Sequence, residues 1–256
     1  MEQKVEDNWY EHFFSGINCE MWERAIPEDL SSKEADYLIG VMGVKKGAEI
    51  LDIPCGYGRL AIPLAKKGFK LTCLDISEQF LKGLDRKVEE ERLSIRTVRG
   101  NILTLDIIGM YDGAYCMGNS FGYFDFAGMN LFVKKVAACL KPGARFIINS
   151  GMAAESILTH IPPEKTYVLG DLTMQINNEY IVEDSCLVPH LTYTKNGLSE
   201  SHGFKHYVYT IAEIKRLLVS YDFEIIALHS GFQKEPYALG DPQVYMVCEK
   251  KPTGKI

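Results

Sequence analysis

Residues 51–60 read L-D-I-P-C-G-Y-G-R-L, and the reading of this turn decides the fold. An apolar run, A-E-I-L-D-I at 48–53, leads into it, and an amphipathic segment near 58–67 leads out. A strand that ends in a glycine pair and opens a helix is the entrance to a nucleotide-binding βα unit, where glycine lets the backbone approach a ligand. Gly56-x-Gly58-x-x-Ala61 satisfies the loose dinucleotide pattern G-x-G-x-x-G/A. Asp52, four residues before the first glycine, opposes that reading. A pyrophosphate rests on the helix N-terminus, and a carboxylate just below it repels the charge.

Outward from the turn, apolar strands alternate with amphipathic helices. Strands are expected at 48–53, 70–75, 95–100, 111–117 and 145–150, with helices near 58–67, 77–91 and 127–140, the last closed by K-P-G. That alternation predicts a parallel, doubly wound α/β sheet. Residues 5–42 read as helical, with Ser31 or Ser32 as the N-cap of a second helix and Glu34 or Asp36 near the capping-box position. Residues 166–209 lose the helical period and alternate instead, which predicts three antiparallel strands, the last two joined by Asn196-Gly197. A helix over 210–221 and strands at 223–229 and 243–249 complete the chain. Those last two strands have no helix between them, so they are expected to pair antiparallel.

Asp75 ends the second strand, 23 residues after Asp52, where a carboxylate can take both hydroxyls of a ribose. An adenosine without phosphates but with an ammonium group satisfies both aspartates, and S-adenosylmethionine is such a ligand. The stretch I-L-D-I-P-C-G-Y-G-R, with L-D-I-S at 74–77 and G-N-I at 100–102, resembles motifs I, II and III of class I S-adenosylmethionine-dependent methyltransferases. The resemblance covers residues 48–150, and the antiparallel final strand is similar to that family's seventh. The insertion after the fifth strand is similar to that of small-molecule members, including the amino-sugar and glycine N-methyltransferase-like groups. The resemblance implies a seven-stranded Rossmann-like sheet with an antiparallel last strand, plus a small antiparallel β insertion. It divides the chain into N-terminal helices (1–44), a cofactor-binding domain (45–155 and 210–256) and a substrate-side lid (156–209).

Carried over by position, Asp52, Gly56 and Gly58 line the methionine end, with Pro54 and Arg59 beside them. Asp75 holds the ribose, Ile76 packs near the adenine, and Asn101 and Ile102 meet its edge. Asn101 stands where the family often has Asp, and Pro54 where many members have a small residue. Strand four ends in C-M-G-N-S-F-G-Y-F (116–124), where Gly118 lets the backbone approach the sulfonium and Asn119, Ser120 and Tyr123 are candidates to orient an acceptor. Tyr10 and Trp22 can close over the cofactor through cation–π attraction. Tyr123, His202 and His206 are the catalytic candidates. The two histidines lie four apart, on one face of the expected strand, with His190 nearby.

The balance of charge excludes other classes. The chain has 256 residues, a formal net charge of −6, and basic clusters no larger than pairs such as Lys66-Lys67, with no basic stripe for a nucleic acid. No apolar run approaches a membrane span, and the N-terminus is polar and acidic, unlike a signal peptide. Seven scattered cysteines form no C-x-x-C pair, which points to reduced core thiols in a cytoplasmic protein and to no metal site. The expected activity is methyl transfer to N or O of a small-molecule acceptor. An NAD(P)-type oxidoreductase and a non-catalytic methyltransferase-like binding protein are the alternatives. Exposed strand edges in the insertion leave pairing into a homodimer open.

Overall fold

The computed structural model describes residues 5–252. Residues 1–4 and 253–256, the outer ends of the expected N-terminal segment and cofactor-binding domain, lie outside the described residues. Three helices open the chain: α1 (Tyr10–Phe13), α2 (Gly16–Ala25) and α3 (Glu28–Met42). The helical period over 5–42 is interrupted at Gly16, where φ is +64°, and at Pro27, which has no N–H to donate. Helix α3 starts at Glu28 rather than at Ser31 or Ser32. Pro27 precedes it, and Glu28 and Asp29 put negative charge on its first turn. Ser31 and Glu34 therefore lie buried within the helix instead of capping it.

The alternating half follows the expected order: β1 (Glu49–Asp52), α4 (Ala61–Lys66), β2 (Lys70–Asp75), α5 (Glu78–Glu91), β3 (Ile95–Arg99), β4 (Tyr111–Cys116), α6 (Phe126–Ala138) and β5 (Leu140–Ser150). One boundary moves. Lys141-Pro142-Gly143 belongs to β5 rather than to a helix stop, because a register shift between Tyr111 and Gly113 of β4 absorbs the extra residues. Next come α7 (Ala154–Ile157), β6 (Glu164–Leu169), β7 (Leu172–Ile181), β8 (Cys186–Lys195), β9 (Leu198–Gly203) and β10 (His206–Tyr207). Helix α8 (Ile211–Val219) opens on a complete capping box between Thr210 and Glu213. Strands β11 (Phe223–His229) and β12 (Val244–Lys250) end the described chain.

The main sheet has the order β3-β2-β1-β4-β5-β12-β11. Strands β1 to β5 run parallel, and β12 runs antiparallel to both of its neighbours. Helices cover both faces. Phe132 and Val133 of α6 and Leu217 of α8 fill one cluster; Leu38 of α3, Leu64 of α4 and Leu84 of α5 fill the other. Chain order reverses between β1 and β4, so their C-terminal ends flank the crevice where ligands bind in such sheets.

The insertion is richer than three strands. Strand β6 pairs with β7 across a two-residue turn, Gly170-Asp171, whose glycine has φ +65°. The expected last strand over 198–209 is split into β9 and β10, with Phe204 and Lys205 between them. Asn196 and Gly197 form the turn read from the sequence, both with positive φ. Trp9, Phe13 and Met21 of the N-terminal segment pack against Leu172, Met174, Leu191 and Tyr193 of the insertion. The two segments thus share one apolar cluster. Among the described residues, all seven cysteines are buried without disulfides, and no helix is long and apolar enough to cross a membrane.

Candidate active site

One cavity lies over the C-terminal ends of β1, β2 and β4 and under the shared cluster of N-terminal helices and insertion. Asp52 forms part of its floor at the end of β1. The parallel register sets it beside Tyr115 of β4, whose hydroxyl donates to Asp52 Oδ2 at 2.7 Å. Only 3% of Asp52 is exposed. Burial pushes its carboxyl well above the usual carboxylate range, against the Tyr115 hydrogen bond and the Arg59 charge, which pull it down. A buried carboxyl held this way gains most from a ligand that brings a positive charge.

Arg59 lines the same end. Its guanidinium pairs with Glu34 of α3, and Glu34 Oε1 accepts the Tyr245 hydroxyl at 3.0 Å. Glu34 thus acts as an anchor for Arg59, reaching it from 25 residues earlier in the chain. The pairing leaves a cation next to a carboxyl, a match for the two ends of an amino acid.

Asp75 ties the turn to β2. Its Oδ2 accepts the Gly56 amide at 2.7 Å and its Oδ1 accepts the Ser77 amide at 2.8 Å. Burial raises this carboxyl too, while those backbone donors oppose the rise. Each oxygen keeps a second lone pair for a ribose hydroxyl. The two turn glycines differ. Gly56 has φ +54° with nothing within 4 Å of where a Cβ would stand, so open space lies beside it. Gly58 has φ +78°, and a Cβ there would come within 2.5 Å of Leu84 Cδ1. Gly58 does not line the cavity; helix packing, not ligand approach, demands a glycine there.

Asn101 and Ile102 close the far end. Asn101 Oδ1 accepts the Leu103 amide at 2.9 Å, which turns the amide NH2 group the other way as a donor. After β4 the chain turns through Gly118 and Asn119, both with positive φ. Asn119 Oδ1 accepts the Gly151 amide at 2.6 Å, and its carbonyl accepts from His206 Nε2 at 2.8 Å. These bonds lock the turn between β5 and the insertion.

The expected residues Tyr10, Trp22, Pro54, Ile76 and Tyr123 all reach the cavity wall. His206 does as well, but His202 does not. It sits on β9, 3.7 Å from Glu200, while His206 lies across the strand break on β10. The break undoes the shared face that their spacing predicts. Phe14, Phe80, Phe204 and Met152 also line the cavity. Sequence reasoning missed them because each comes from a separate connection or helix end. For Phe204 a signal existed: the G-F-K interruption of the strand alternation.

The sheet order, with β12 antiparallel beside β5, and the glycine turn between two buried aspartates define the class I S-adenosylmethionine-dependent methyltransferase architecture. Residues 50–143 match the family model for a methyltransferase domain. Rat glycine N-methyltransferase is 27% identical over 212 residues, which cover 72% of this chain and 69% of that protein. An S-adenosylmethionine-dependent methyltransferase from Clostridium acetobutylicum has a TM-score of 0.79 at 16% identity, covering 92% of this chain and 97% of that one. An amino pentose methyltransferase from Micromonospora echinaspora, solved with S-adenosylmethionine bound, has a TM-score of 0.68 at 14% identity, covering 93% and 98%. Residues 50–143 are thus a methyltransferase domain on the class I S-adenosylmethionine-dependent fold, and S-adenosylmethionine is its cofactor.

Proposed function

We propose that the protein transfers the methyl group of S-adenosylmethionine to a nitrogen or oxygen of a small molecule. The observation that carries this reading is the division of one cavity into two chemistries. Asp52, Arg59 and Asp75 gather at the glycine turn, and the space beyond Gly118 is walled by aromatic side chains. The open space beside Gly56 and the buried Asp52 fit the cofactor's amino acid end.

When bound, the cofactor supplies an electrophilic methyl group on a sulfonium. Asp52 holds the α-ammonium, Arg59 faces the α-carboxylate, and Asp75 takes the ribose hydroxyls. The Asn101 amide meets the adenine edge. Gly118 keeps the backbone flat where the sulfonium lies, with no atom within 4 Å of its missing Cβ. Residues 5–44 and the insertion over 156–209 act as a roof that excludes water and aligns the acceptor in line with the methyl–sulfur bond. The test is release of S-adenosylhomocysteine across a small-molecule acceptor library, with NADH as a control. Methylated product with no NADH oxidation supports the reading. Hydride transfer, or tight cofactor binding with no acceptor methylated, contradicts it.

The roof has a latch whose strength can be measured. Gln79 accepts the Gly16 amide at 2.9 Å and donates to the Gly16 carbonyl at 3.3 Å, and the Ser77 hydroxyl donates to the Phe14 carbonyl at 2.8 Å. Net hydrogen bonds of this kind contribute about 0.5–1.5 kcal/mol each. Gln79→Ala removes two of them and is therefore expected to speed S-adenosylhomocysteine dissociation by roughly five- to 150-fold, read by stopped-flow fluorescence. An unchanged rate would mean that the segment does not gate the cofactor.

A further inference from the structure

We infer that the acceptor is an uncharged aromatic amine, an aryl or heteroaryl nitrogen seated on the aromatic side of the cavity. This rests on the methyl transfer proposed above and narrows its substrate. The distribution of charge is the first support. Among the described residues that line the cavity, Asp52, Arg59 and Asp75 are the only carboxylate or cationic side chains, and all three belong to the cofactor turn. Each is already partnered, by Tyr115, by Glu34, and by the Gly56 and Ser77 amides. On the other side, Phe14, Tyr123, Phe204, Phe132 and Met152 present neither a carboxylate nor a cation. An amino acid acceptor would bury its carboxylate there without a partner, at a cost of several kcal/mol. An alkylammonium would likewise meet no anion. A flat, neutral ring instead finds edge and face contacts on a wall of Phe14, Tyr123 and Phe204, where Tyr123 packs 6.3 Å from both phenylalanines.

Where a proton could go is the second support. His206 is the one histidine among the described residues of the cavity wall; its Nε2 is bonded to backbone, and its Nδ1 is buried without a hydrogen-bond partner. Nε2 donates to the Asn119 carbonyl, and Nδ1 lies 3.0 Å from where a Cβ on Gly122 would stand. Burial lowers this imidazole to about 4, so it is neutral, held to the turn through Nε2 and only a weak base at Nδ1. Burial also pushes the Tyr123 phenol up, which keeps it from accepting a proton as a phenolate. No side chain on this wall stands ready to deprotonate a hydroxyl. A neutral amine needs no such base. Its lone pair forms the new C–N bond as the methyl–sulfur bond breaks, and sulfur keeps that bond's electron pair. The proton left on nitrogen passes to water after the product leaves.

The experiment uses the full chain and three probes: aniline, phenol and glycine. Binding is measured by ligand-observed NMR on protein loaded with S-adenosylhomocysteine, and transfer by mass spectrometry with S-adenosylmethionine. Aniline and phenol are expected to bind and glycine not to. N-methylaniline is expected to form at least about ten times faster than anisole, a difference of about 1.4 kcal/mol. Binding or methylation of glycine would overturn the inference. So would failure of aniline to bind, aniline bound but left unmethylated, or anisole formed as fast as N-methylaniline. If S-adenosylmethionine itself does not bind, the proposed methyl transfer fails instead, and calorimetry on the cofactor alone separates the two.

Discussion

Asp52→Asn is expected to stabilise the cofactor-free protein while weakening S-adenosylmethionine roughly 30- to 1,000-fold. The second number comes from removing one partner of a buried charge pair, typically about 2–4 kcal/mol. The first comes from relief of desolvation. Asp52 is buried with its carboxyl pushed well above the ordinary range, so ionising it in the empty site costs free energy. An amide keeps a carbonyl to accept the Tyr115 hydroxyl and carries no charge to desolvate. A gain on the order of 1 kcal/mol corresponds to about 2–4 °C in Tm for a chain of this size. The gain should depend on pH with a definite sign. A folded-state carboxyl that holds its proton more tightly than in the unfolded chain makes stability fall as pH rises from about 4, the ordinary aspartate value, through the raised folded value. The wild-type protein should show that fall, and the variant a smaller one, since Asp75 is raised by burial as well. Equal thermal curves, or cofactor affinity unchanged in the variant, would remove Asp52 from the role given to it.

The two turn glycines make the second large prediction, because they are needed for different reasons. Gly58→Ala should cost stability first. Alanine at φ +78° carries about 1–2 kcal/mol of strain, and its methyl would press on Leu84, which is fully buried. Overpacking of that kind adds about 1–3 kcal/mol, so Tm should fall by roughly 4 to 20 °C. Gly56→Ala should cost about 1–2 kcal/mol of backbone strain and meet no protein atom. Its methyl instead enters the space assigned to the cofactor, so affinity should fall by tenfold or more with only a small loss of Tm. Thermal melts and calorimetry on both variants check the pattern. The reverse pattern would contradict the separation of roles.

How far the sequence reaches is visible in the same turn. Strands β1, β2 and β4 were legible as short, largely apolar runs and β3, I-R-T-V-R, from its place in the strand–helix alternation, and a strand's end fixes where the next turn's residues must lie. Asp52, Gly56 and Asp75 were placed by that together with the charge a ligand must carry, and Asn101 only by the resemblance to the family's third motif. The antiparallel end of the sheet was legible from one missing crossover helix, and Asn196-Gly197 from its turn chemistry. Glu34 was not legible as an ion-pair partner. It looks like a capping residue until α3 folds back along the sheet and meets Arg59. Strand β6 was missed because Gly170-Asp171 is a weaker turn signal than Asn-Gly. The separation of His202 from His206 depends on a strand break at Phe204, which period-two spacing does not reveal. The roof, made jointly by α1, α2 and the insertion, depends on contacts spanning most of the chain, such as the Glu200 carboxylate accepting the Ile17 amide at 2.8 Å.

The most direct test of the central claim is a calorimetric comparison of S-adenosylhomocysteine with its deaminated analogue. Both present the same adenosine to Asp75 and Asn101, and they differ in the ammonium that Asp52 is assigned to hold. The account predicts binding of S-adenosylhomocysteine at least tenfold tighter than the analogue, with the difference lost in Asp52→Asn. Equal affinity for the two, or no binding of either, would contradict it.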